Sequence, residues 1–312
     1  MPTPSSSEGR IGFIGLGNMG APMAAALATA GLAPRVFDLR AQAVAAAASR
    51  GAVAAASVRE IVDHCDVIGT CLLYDDQVRE LFLGAEGIVT LGRPGQVAAI
   101  HSTVLPETIR DIVAAAAARG IGIVDAPVSG GGERTQPGAL EGTLTVMVGA
   151  DDWAWEKAER MLRTVGRHVV RVGAPGAGQI VKLGNNIMAL GNQVLHMEAI
   201  RFVEAFGVTR EALDAVASVS SGASWAVASY AHFDRYGFEH TLGGTPEMPH
   251  RLGKDLRYAV SVAQEKWTYL PVVSLCAQLL PGMFEARWQK LTGSATTDRT
   301  EAGGGPADHP TP

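Results

Sequence analysis

The feature of this sequence that most restricts its fold is an alternation of short apolar runs with longer helical patterns, from residue 10 to about residue 172. The apolar runs are nearly continuous: RIGFIG, RVFDL, DVIGTCLL, QVAAIHS, IGIVDAPV, LTVMVG and HVVRV. Such runs are typical of strands that helices cover on both faces. The alternation therefore predicts an α/β domain with a doubly wound parallel sheet over residues 10–173.

After residue 174 the strand patterns stop and helical patterns follow. The stretch AGQIVKLGNNIMALGNQVLHMEAIRFVEAFG predicts one helix of about 30 residues, apolar on most sides. Such a helix belongs in the core of a helical domain or in a subunit interface. We therefore expect an all-α C-terminal domain over residues 174–294. The polar, Pro/Gly-rich segments 1–9 and 295–312 are expected to be disordered tails.

Composition narrows the possible partners and the cellular location. The 312 residues include 26 basic and 31 acidic side chains, a formal charge of -5, without any basic run. Nucleic acid is therefore not an expected partner. Apolar stretches fall short of the ~20 residues that a membrane span needs, and the N-terminus has no apolar signal core. The three cysteines lack metal-ligand spacing, so we expect reduced thiols, no metal site and a cytoplasmic protein.

The first apolar run leads into a G-x-G-x-x-G motif formed by Gly15, Gly17 and Gly20. The first glycine permits a tight turn, the second lets a pyrophosphate approach the backbone, and the third allows close packing of helix on strand. The helix N-terminus then offers N–H groups to phosphates. Since the motif follows a strand and opens a helix, it predicts a Rossmann dinucleotide site. The loop residues between the glycines are candidate cofactor contacts: Leu16, Asn18 and Met19.

An acidic residue at the end of the next apolar run bears on the choice of cofactor. Asp38 follows Gly20 by eighteen residues, the spacing expected of the residue that hydrogen-bonds the adenosine ribose. A carboxylate there repels a 2′-phosphate, which favours NAD. Arg40, two residues on, can accommodate that phosphate, so NADP stays possible; the alternative is a solvated arginine at a helix start.

Six motifs together resemble one enzyme family, the β-hydroxyacid dehydrogenases, which includes 3-hydroxyisobutyrate dehydrogenase and tartronate semialdehyde reductase. The resemblance runs from about residue 10 to residue 290 and rests on GFIGLGNMGAPMA, HSTV, DAPVSGG, GTLTVMVG, GAGQIVKLGNN and KDLRYA. It implies an N-terminal Rossmann domain, a helical C-terminal domain and NAD(P)-dependent oxidation of a small hydroxy acid. It also implies a homodimer or homotetramer built on the long helix.

The lysine in GQIVKLGNN stands in a run that has no other charge, and burying a lysine is costly without compensation. The resemblance implies that this residue, Lys182, is the catalytic acid/base. Burial should lower its pKa and so supply a neutral amine that accepts the alcohol proton. Asn186, four residues on, shares its helical face and can hold the substrate. The alternative is a lysine that extends to the surface at a helix start.

Other candidate residues follow predicted strands, where ligands gather in open parallel sheets. The resemblance implies that Ser129, Gly130, Gly131 and Thr103 bind the substrate, with Thr103 also near the nicotinamide. It implies that Leu72, Leu73, Gln77 and Lys254 contact the cofactor, although Leu73 replaces a usual proline. The alternatives are a glycine-rich turn at residues 129–131 and a surface ion pair at Lys254.

Two segments are longer than the family pattern and leave the substrate open. They lie within residues 132–141 and 239–253, and we expect Gly and Pro to shape the second as a loop. This loop could lend His240, His250 or Arg251 to the substrate, although solvated side chains are the alternative. An imine reductase and a cofactor-binding protein without turnover are rival functions. Retention of Lys182 and Asn186 argues against both, and decarboxylation after oxidation stays open.

Overall fold

A computed structural model describes residues 9–130, 135–230, 241–242, 245–246 and 248–292. The expected tails lie outside these residues, apart from Gly9, as do Gly131 and His240. The described part contains one large sheet, flanked by helices, and then a predominantly helical region.

The sheet has nine strands, all of which precede residue 174. They are β1 (Ile11–Ile14), β2 (Arg35–Phe37), β3 (Val53–Ala54), β4 (Val67–Thr70), β5 (Val97–Ile100), β6 (Gly122–Asp125), β7 (Val128–Ser129), β8 (Leu144–Ala150) and β9 (Gly166–Gly173). Their order is β3-β2-β1-β4-β5-β6-β8-β7, with β9 paired to β8. The pairs from β3 to β6 are all parallel, and the strand order reverses between β1 and β4. The predicted doubly wound sheet is therefore confirmed.

Eight helices connect these strands in the described residues. They are α1 (Gly20–Thr29), α2 (Ala41–Ala48), α3 (Val58–His64), α4 (Asp75–Leu83), α5 (Ile88–Leu91), α6 (Pro106–Ala117), α7 (Thr135–Leu140) and α8 (Asp152–Val165). The region that follows contains α9 (Ala177–Ala205), α10 (Arg210–Ala217), α11 (described over residues 225–230), α12 (Met248–Glu265) and α13 (Pro271–Thr292). Helix α9 has 29 residues, as its apolar pattern predicts.

The sheet is buried on both faces because successive strand residues point to opposite sides. In β1, Phe13 packs into a core layer with Met23 of α1, whereas Ile14 packs into the opposite layer with Ile61 of α3. All four β1 residues are buried. This burial on both faces explains why the strand sequences are nearly continuous apolar runs.

The sheet is mixed at one edge, which the sequence patterns do not predict. Strand β8 runs antiparallel to β6 and β7, and β9 runs parallel to β8. Only two residues, Ala126 and Pro127, separate β6 from β7, so no crossover helix can form between them. The two-residue strands β3 and β7 are too short to produce a periodic pattern.

The expectation of a shaped loop throughout residues 239–253 is wrong for its last part. Thr241–Leu242 and Thr245–Pro246 form a two-stranded antiparallel pair, and α12 already begins at Met248. Pro249 does not prevent this, because the first turn of a helix leaves its N–H groups without helical partners.

A buried carboxylate joins the sheet to α9. Asp125, at the end of β6, is fully buried and accepts hydrogen bonds from the main-chain N–H groups of Gly176 (2.7 Å) and Gln179 (2.8 Å). Burial raises the pKa of Asp125 to about 6, although these N–H groups act to lower it. The side chain satisfies N–H groups that a helix N-terminus leaves unpaired. It thereby ties α9 to the end of β6.

The glycine beside this carboxylate gives a prediction about stability. A Cβ at Gly149 would overlap Asp125 Oδ1 and lie 2.6 Å from the main-chain oxygen of Ala174. We therefore expect Gly149→Ala to lower the free energy of unfolding by about 1–3 kcal/mol, the usual cost of overpacking. Denaturant unfolding measures this change.

Gly282→Ala is the matched control. A Cβ at Gly282, inside α13, meets nothing within 4 Å. Alanine should therefore stabilise that helix by up to about 1 kcal/mol. Equal effects of the two substitutions would contradict the proposed crowding at Gly149.

Candidate active site

The glycine motif forms the turn between β1 and α1, and each glycine has a distinct environment. Gly15 has φ +90°, and a Cβ there would overlap the main-chain oxygen of Cys71. A Cβ at Gly20 would overlap the main-chain oxygen of Gly15, so α1 could not pack as it does. A Cβ at Gly17 meets nothing within 4 Å. The backbone at Gly17 is therefore open to an approaching group, which fits a pyrophosphate.

Asp38 and Arg40 form a compact pair beside this turn. Asp38 accepts hydrogen bonds from Leu16 N (2.7 Å), Arg40 N (2.9 Å) and Arg40 Nε (3.0 Å). The Arg40 guanidinium also donates to the Leu16 carbonyl at 3.0 Å. Burial acts to raise the pKa of Asp38, but the hydrogen bonds from Arg40 and Leu16 bring it below its ordinary value. Asp38 therefore stays charged, with Arg40 as its counter-ion.

Hydrogen bonds hold the loops after β4 and β5 together. Leu72 N donates to Ser102 Oγ at 2.8 Å, across these neighbouring strand ends. Gln77 Oε1 accepts from the N–H groups of Leu73 and Tyr74, both at 3.2 Å. The exposed Gln77 thus shapes the loop that carries Leu73.

Lys182 lies in the second turn of α9 and is 9% exposed. Among the described residues, neither a hydrogen bond nor an ion pair engages its ammonium group. Burial lowers the pKa of Lys182; the Asp255 carboxylate acts to raise it, and the Lys254 ammonium lowers it further. The net direction is downward, so a neutral amine is more accessible here than on an exposed lysine.

A polar network lies next to Lys182. Asn186 Nδ2 donates to Asp255 Oδ2 at 2.6 Å, and Asn186 Oδ1 accepts from Asn185 Nδ2 at 3.0 Å. The other carboxylate oxygen, Asp255 Oδ1, is buried, accepts no hydrogen bond from the described residues and lies 3.7 Å from Lys254 Nζ. Asn186 is thus held by protein partners on both sides of its amide, and Asp255 links α9 to α12.

Lys254 connects α12 to both strand-end loops. Its ammonium donates to the Thr103 carbonyl at 2.8 Å and lies 3.4 Å from the Leu73 carbonyl. It also lies 5.2 Å from the Tyr258 ring centroid. These contacts do not fit a surface ion pair, and they bring Leu73, Thr103 and Lys254 together.

The remaining described candidates lie at the end of β7 and at the start of α12. Ser129 and Gly130 are half-buried at the end of β7, where Ser129 pairs with Thr145 of β8. His250 and Arg251 belong to the first turn of α12. No group of three or more His, Cys, Asp or Glu side chains in the described part of the chain is arranged to hold a metal ion. None of the helices described there is long and apolar enough to cross a membrane.

Sequence reasoning missed the structural importance of two buried polar residues, Asp125 and Gln179. They stand in the motifs DAPVSGG and GAGQIVKLGNN, which are the only sequence signal for them. The partners of their side chains are main-chain groups far away in the chain, so sequence spacing could not reveal them.

Comparison with known proteins gives matches along nearly the whole chain. Residues 10–173 match the family model described as the NAD binding domain of 6-phosphogluconate dehydrogenase. Residues 176–295 match the model described as NAD-binding of NADP-dependent 3-hydroxyisobutyrate dehydrogenase. The two models therefore meet between β9 and α9.

Individual relatives agree with these models. An NAD-dependent L-serine dehydrogenase from Pseudomonas aeruginosa is 37% identical over 275 residues, covering 86% of this chain and 90% of that protein. A 2-(hydroxymethyl)glutarate dehydrogenase from Eubacterium barkeri is 33% identical, covering 88% of each. The solved structure of Mycobacterium tuberculosis 3-hydroxyisobutyrate dehydrogenase with L-serine superposes with a TM-score of 0.77. It is 28% identical and covers 91% of this chain and 99% of that one.

The glycine turn, the buried lysine on α9 and these matches all lead to one assignment. The chain belongs to the β-hydroxyacid dehydrogenase family, of the 3-hydroxyisobutyrate dehydrogenase-like type, and is an NAD(P)-dependent oxidoreductase acting on a CH–OH group.

Proposed function

We propose that this protein oxidises 2-substituted 3-hydroxypropanoates to the corresponding semialdehydes, with Lys182 as the general base. The observation that carries the proposal is Lys182 itself: it is buried on α9, has no hydrogen-bond partner among the described residues and has a lowered pKa. A buried amine of this kind suits proton transfer near neutral pH.

His101, directly after β5, is another titratable base among the described residues, but its environment does not fit the role. His101 Nδ1 donates to the Ala126 carbonyl at 2.9 Å, which leaves Nε2 as the only basic nitrogen. That nitrogen is buried without a hydrogen-bond partner among the described residues, and burial lowers the pKa of His101 to about 4. The neutral imidazole is therefore too weak a base to accept a proton from an alcohol near pH 7.

The proposed reaction divides between the cofactor and the side chains of this chain. The turn formed by Gly15, Gly17 and Gly20 would hold a nicotinamide cofactor, which would supply the hydride acceptor for the alcohol carbon. Neutral Lys182 accepts the hydroxyl proton as the C–O bond becomes a carbonyl, and in the reverse direction its ammonium donates that proton. Asn186 retains one amide hydrogen beyond its bond to Asp255 and can orient the substrate oxygen. Ser129 and the N–H groups of Gly130 and Gly131 would hold the substrate carboxylate.

The substrate class comes from what the relatives' substrates have in common. L-Serine, 3-hydroxyisobutyrate and 2-(hydroxymethyl)glutarate, the compounds in the relatives' names, are all 3-hydroxypropanoates that differ at carbon 2. The shared part contains the reacting alcohol and the carboxylate. We propose that this part binds at Lys182 and Ser129 and that the segment before Lys254 influences the choice of the carbon-2 group.

Imine reduction is the weaker alternative. Reductive aminases and imine reductases superpose on this chain, but at 16–17% identity they indicate the fold alone. Lys182 and Asn186 are both present, so we see no reason to prefer imine chemistry or cofactor binding without turnover.

The first test measures turnover of a panel of 2-substituted 3-hydroxypropanoates by wild type and by Lys182→Met. We expect wild type to oxidise at least one member and Lys182→Met to lose about 10²–10⁴-fold in kcat, the usual contribution of general acid/base catalysis. Cofactor affinity, measured by fluorescence titration, should stay similar. Near-native turnover by Lys182→Met would remove this residue from the proposed role.

Asp255→Asn tests how the Asp255 charge affects Lys182. This variant keeps Lys182 and Lys254, and its amide oxygen can still accept the hydrogen bond from Asn186. The Asp255 carboxylate acts to raise the pKa of Lys182, so its neutralisation should lower that pKa further. For alcohol oxidation, the acidic limb of the kcat/KM profile should therefore move to lower pH. A shift to higher pH, or no shift, would contradict this electrostatic coupling.

We propose NAD as the preferred cofactor, with NADP accepted less well. Asp38 favours ribose hydroxyls and repels a 2′-phosphate. Arg40 partly neutralises that charge, and its side chain is 64% exposed, so it can turn toward a phosphate. The preference should therefore be moderate.

Substitution of Arg40 tests this balance. Arg40→Ala removes the counter-ion of Asp38, so the carboxylate repels a 2′-phosphate more strongly. It also removes the cation that could bind this phosphate. We therefore expect the NAD:NADP ratio of kcat/KM to rise about tenfold, in line with a lost charge-assisted hydrogen bond. Asp38→Asn should lower the same ratio. A wild-type preference for NADP would overturn the proposal.

We also propose that α9 pairs with a second copy of the chain, in a homodimer or a larger assembly. Its exposed face carries large apolar side chains at a spacing of seven: Val181, Met188, Leu195 and Phe202, 40–66% exposed. A seven-residue apolar repeat is typical of paired helices. A Cβ at Gly184 or Gly191, between these residues, meets nothing within 4 Å, so a second helix could approach closely.

A charge on this face tests the assembly. We expect wild type to sediment as a dimer or tetramer and Leu195→Glu to sediment as a smaller species, because a buried unpaired carboxylate is costly. Val170→Glu, which replaces a residue of β9 that is 49% exposed, is the control and should leave the assembly unchanged. A monomeric wild type at micromolar concentration would contradict the proposal.

A further inference from the structure

One buried side chain of α9 reaches the segment that contains Thr103. Gln179 is fully buried; its Nε2 donates to the Ser102 carbonyl at 3.0 Å, and its Oε1 accepts from Val104 N at 3.1 Å. The amide therefore contacts the main chain immediately before and immediately after Thr103. Ser102 and Val104 are themselves buried, so these main-chain groups have little access to water as a substitute partner.

Gln179 stands three residues before Lys182, and side chains at that spacing lie on neighbouring parts of one helical face. Its own N–H donates to Asp125 at 2.8 Å, so its backbone is held by the end of β6 while its side chain holds the end of β5. The Thr103 carbonyl accepts in addition from Lys254 at 2.8 Å. The distance between the β5 loop and Lys182 is thus set by two buried contacts from one residue.

We infer that Gln179 is a positioning residue. It holds the Thr103 loop at the position relative to Lys182 that proton transfer requires. The inference rests on the proposed function of Lys182. Gln179 does not itself touch the reacting atoms: it acts through the main chain on either side of Thr103. An apolar side chain at position 179 would leave Ser102 O and Val104 N buried without partners, and the loop would move to satisfy them.

Two substitutions of Gln179 distinguish positioning from a merely structural role. Methionine preserves length and apolar volume but removes both hydrogen bonds. Glutamate preserves them only while protonated, because a carboxylic acid has one donor and one acceptor as the amide does, whereas a carboxylate has no donor for Ser102 O. Burial should raise the pKa of this glutamate.

We expect Gln179→Met to lower kcat about 10²-fold, the effect of a displacement of roughly 1 Å near the reacting atoms, with little change in NAD affinity. The ratio of kcat for Gln179→Glu to kcat for wild type should rise as pH falls, since the protonated side chain restores both bonds. Gln179→Met should show no such recovery. All rates are measured well below the unfolding midpoint of each variant.

Gln193→Met is the matched control on the same helix. Gln193 is also fully buried, but neither of its amide atoms has a hydrogen-bond partner in the part of the chain that the structure describes. Its loss should therefore leave kcat near the wild-type value.

Three outcomes would overturn the inference. Wild-type kcat in Gln179→Met, alongside an inactive Lys182→Met, would overturn the inference alone. An equal loss in Gln193→Met would mean that burial on α9, rather than the two bonds, is what matters. Absence of turnover in wild type, or full turnover in Lys182→Met, would overturn the proposed function and this inference together.

Discussion

The buried carboxylate of Asp125 is the interaction on which the rest of the site depends. A helix begins with N–H groups that have no helical partner, and the first turn of α9 meets this need with a side chain from the end of β6. The helix and the sheet edge are therefore held at hydrogen-bond distance. Gly149 and Gly178 leave room for the carboxylate, because a Cβ at either position would crowd its oxygens. Lys182 follows one turn later, on a helix whose start is already fixed.

Charges near Lys182 and charges near Asp38 are arranged differently. Asp38 is paired directly with a largely exposed Arg40, and hydrogen bonds keep the carboxylate ionised. Lys182 has a carboxylate, Asp255, in its surroundings, but that group bonds to Asn186 instead. Burial therefore dominates at Lys182 and lowers its pKa. The first arrangement suits the proposed ribose-binding role of Asp38, and the second suits the proposed proton transfer by Lys182.

The two halves of the chain meet at this site through a few polar side chains. Gln179 of α9 and Lys254 of α12 both bond to the main chain around Thr103, and Lys254 also approaches Leu73. Main-chain groups at strand ends lack partners in the sheet, so they are natural acceptors and donors for side chains from outside. The loops that the resemblance assigns to cofactor and substrate are thereby held by the helices that follow the sheet.

Sequence patterns alone predict the strands β1, β2, β4, β5 and β6, their parallel arrangement in a doubly wound sheet, the glycine turn and the single long helix α9. These features follow from the periodicity of apolar residues along the chain and from a tight turn that requires glycine. Neither depends on distant residues. The patterns did not predict the antiparallel β8, since an apolar run has the same pattern in either direction, nor the start of α12 at Met248. The hydrogen-bond partners of Asp125, Gln179 and Asp255 are known only from the three-dimensional fold. Burial removes water as an alternative partner, so the hydrogen bonds of these side chains depend on which groups the fold brings near them.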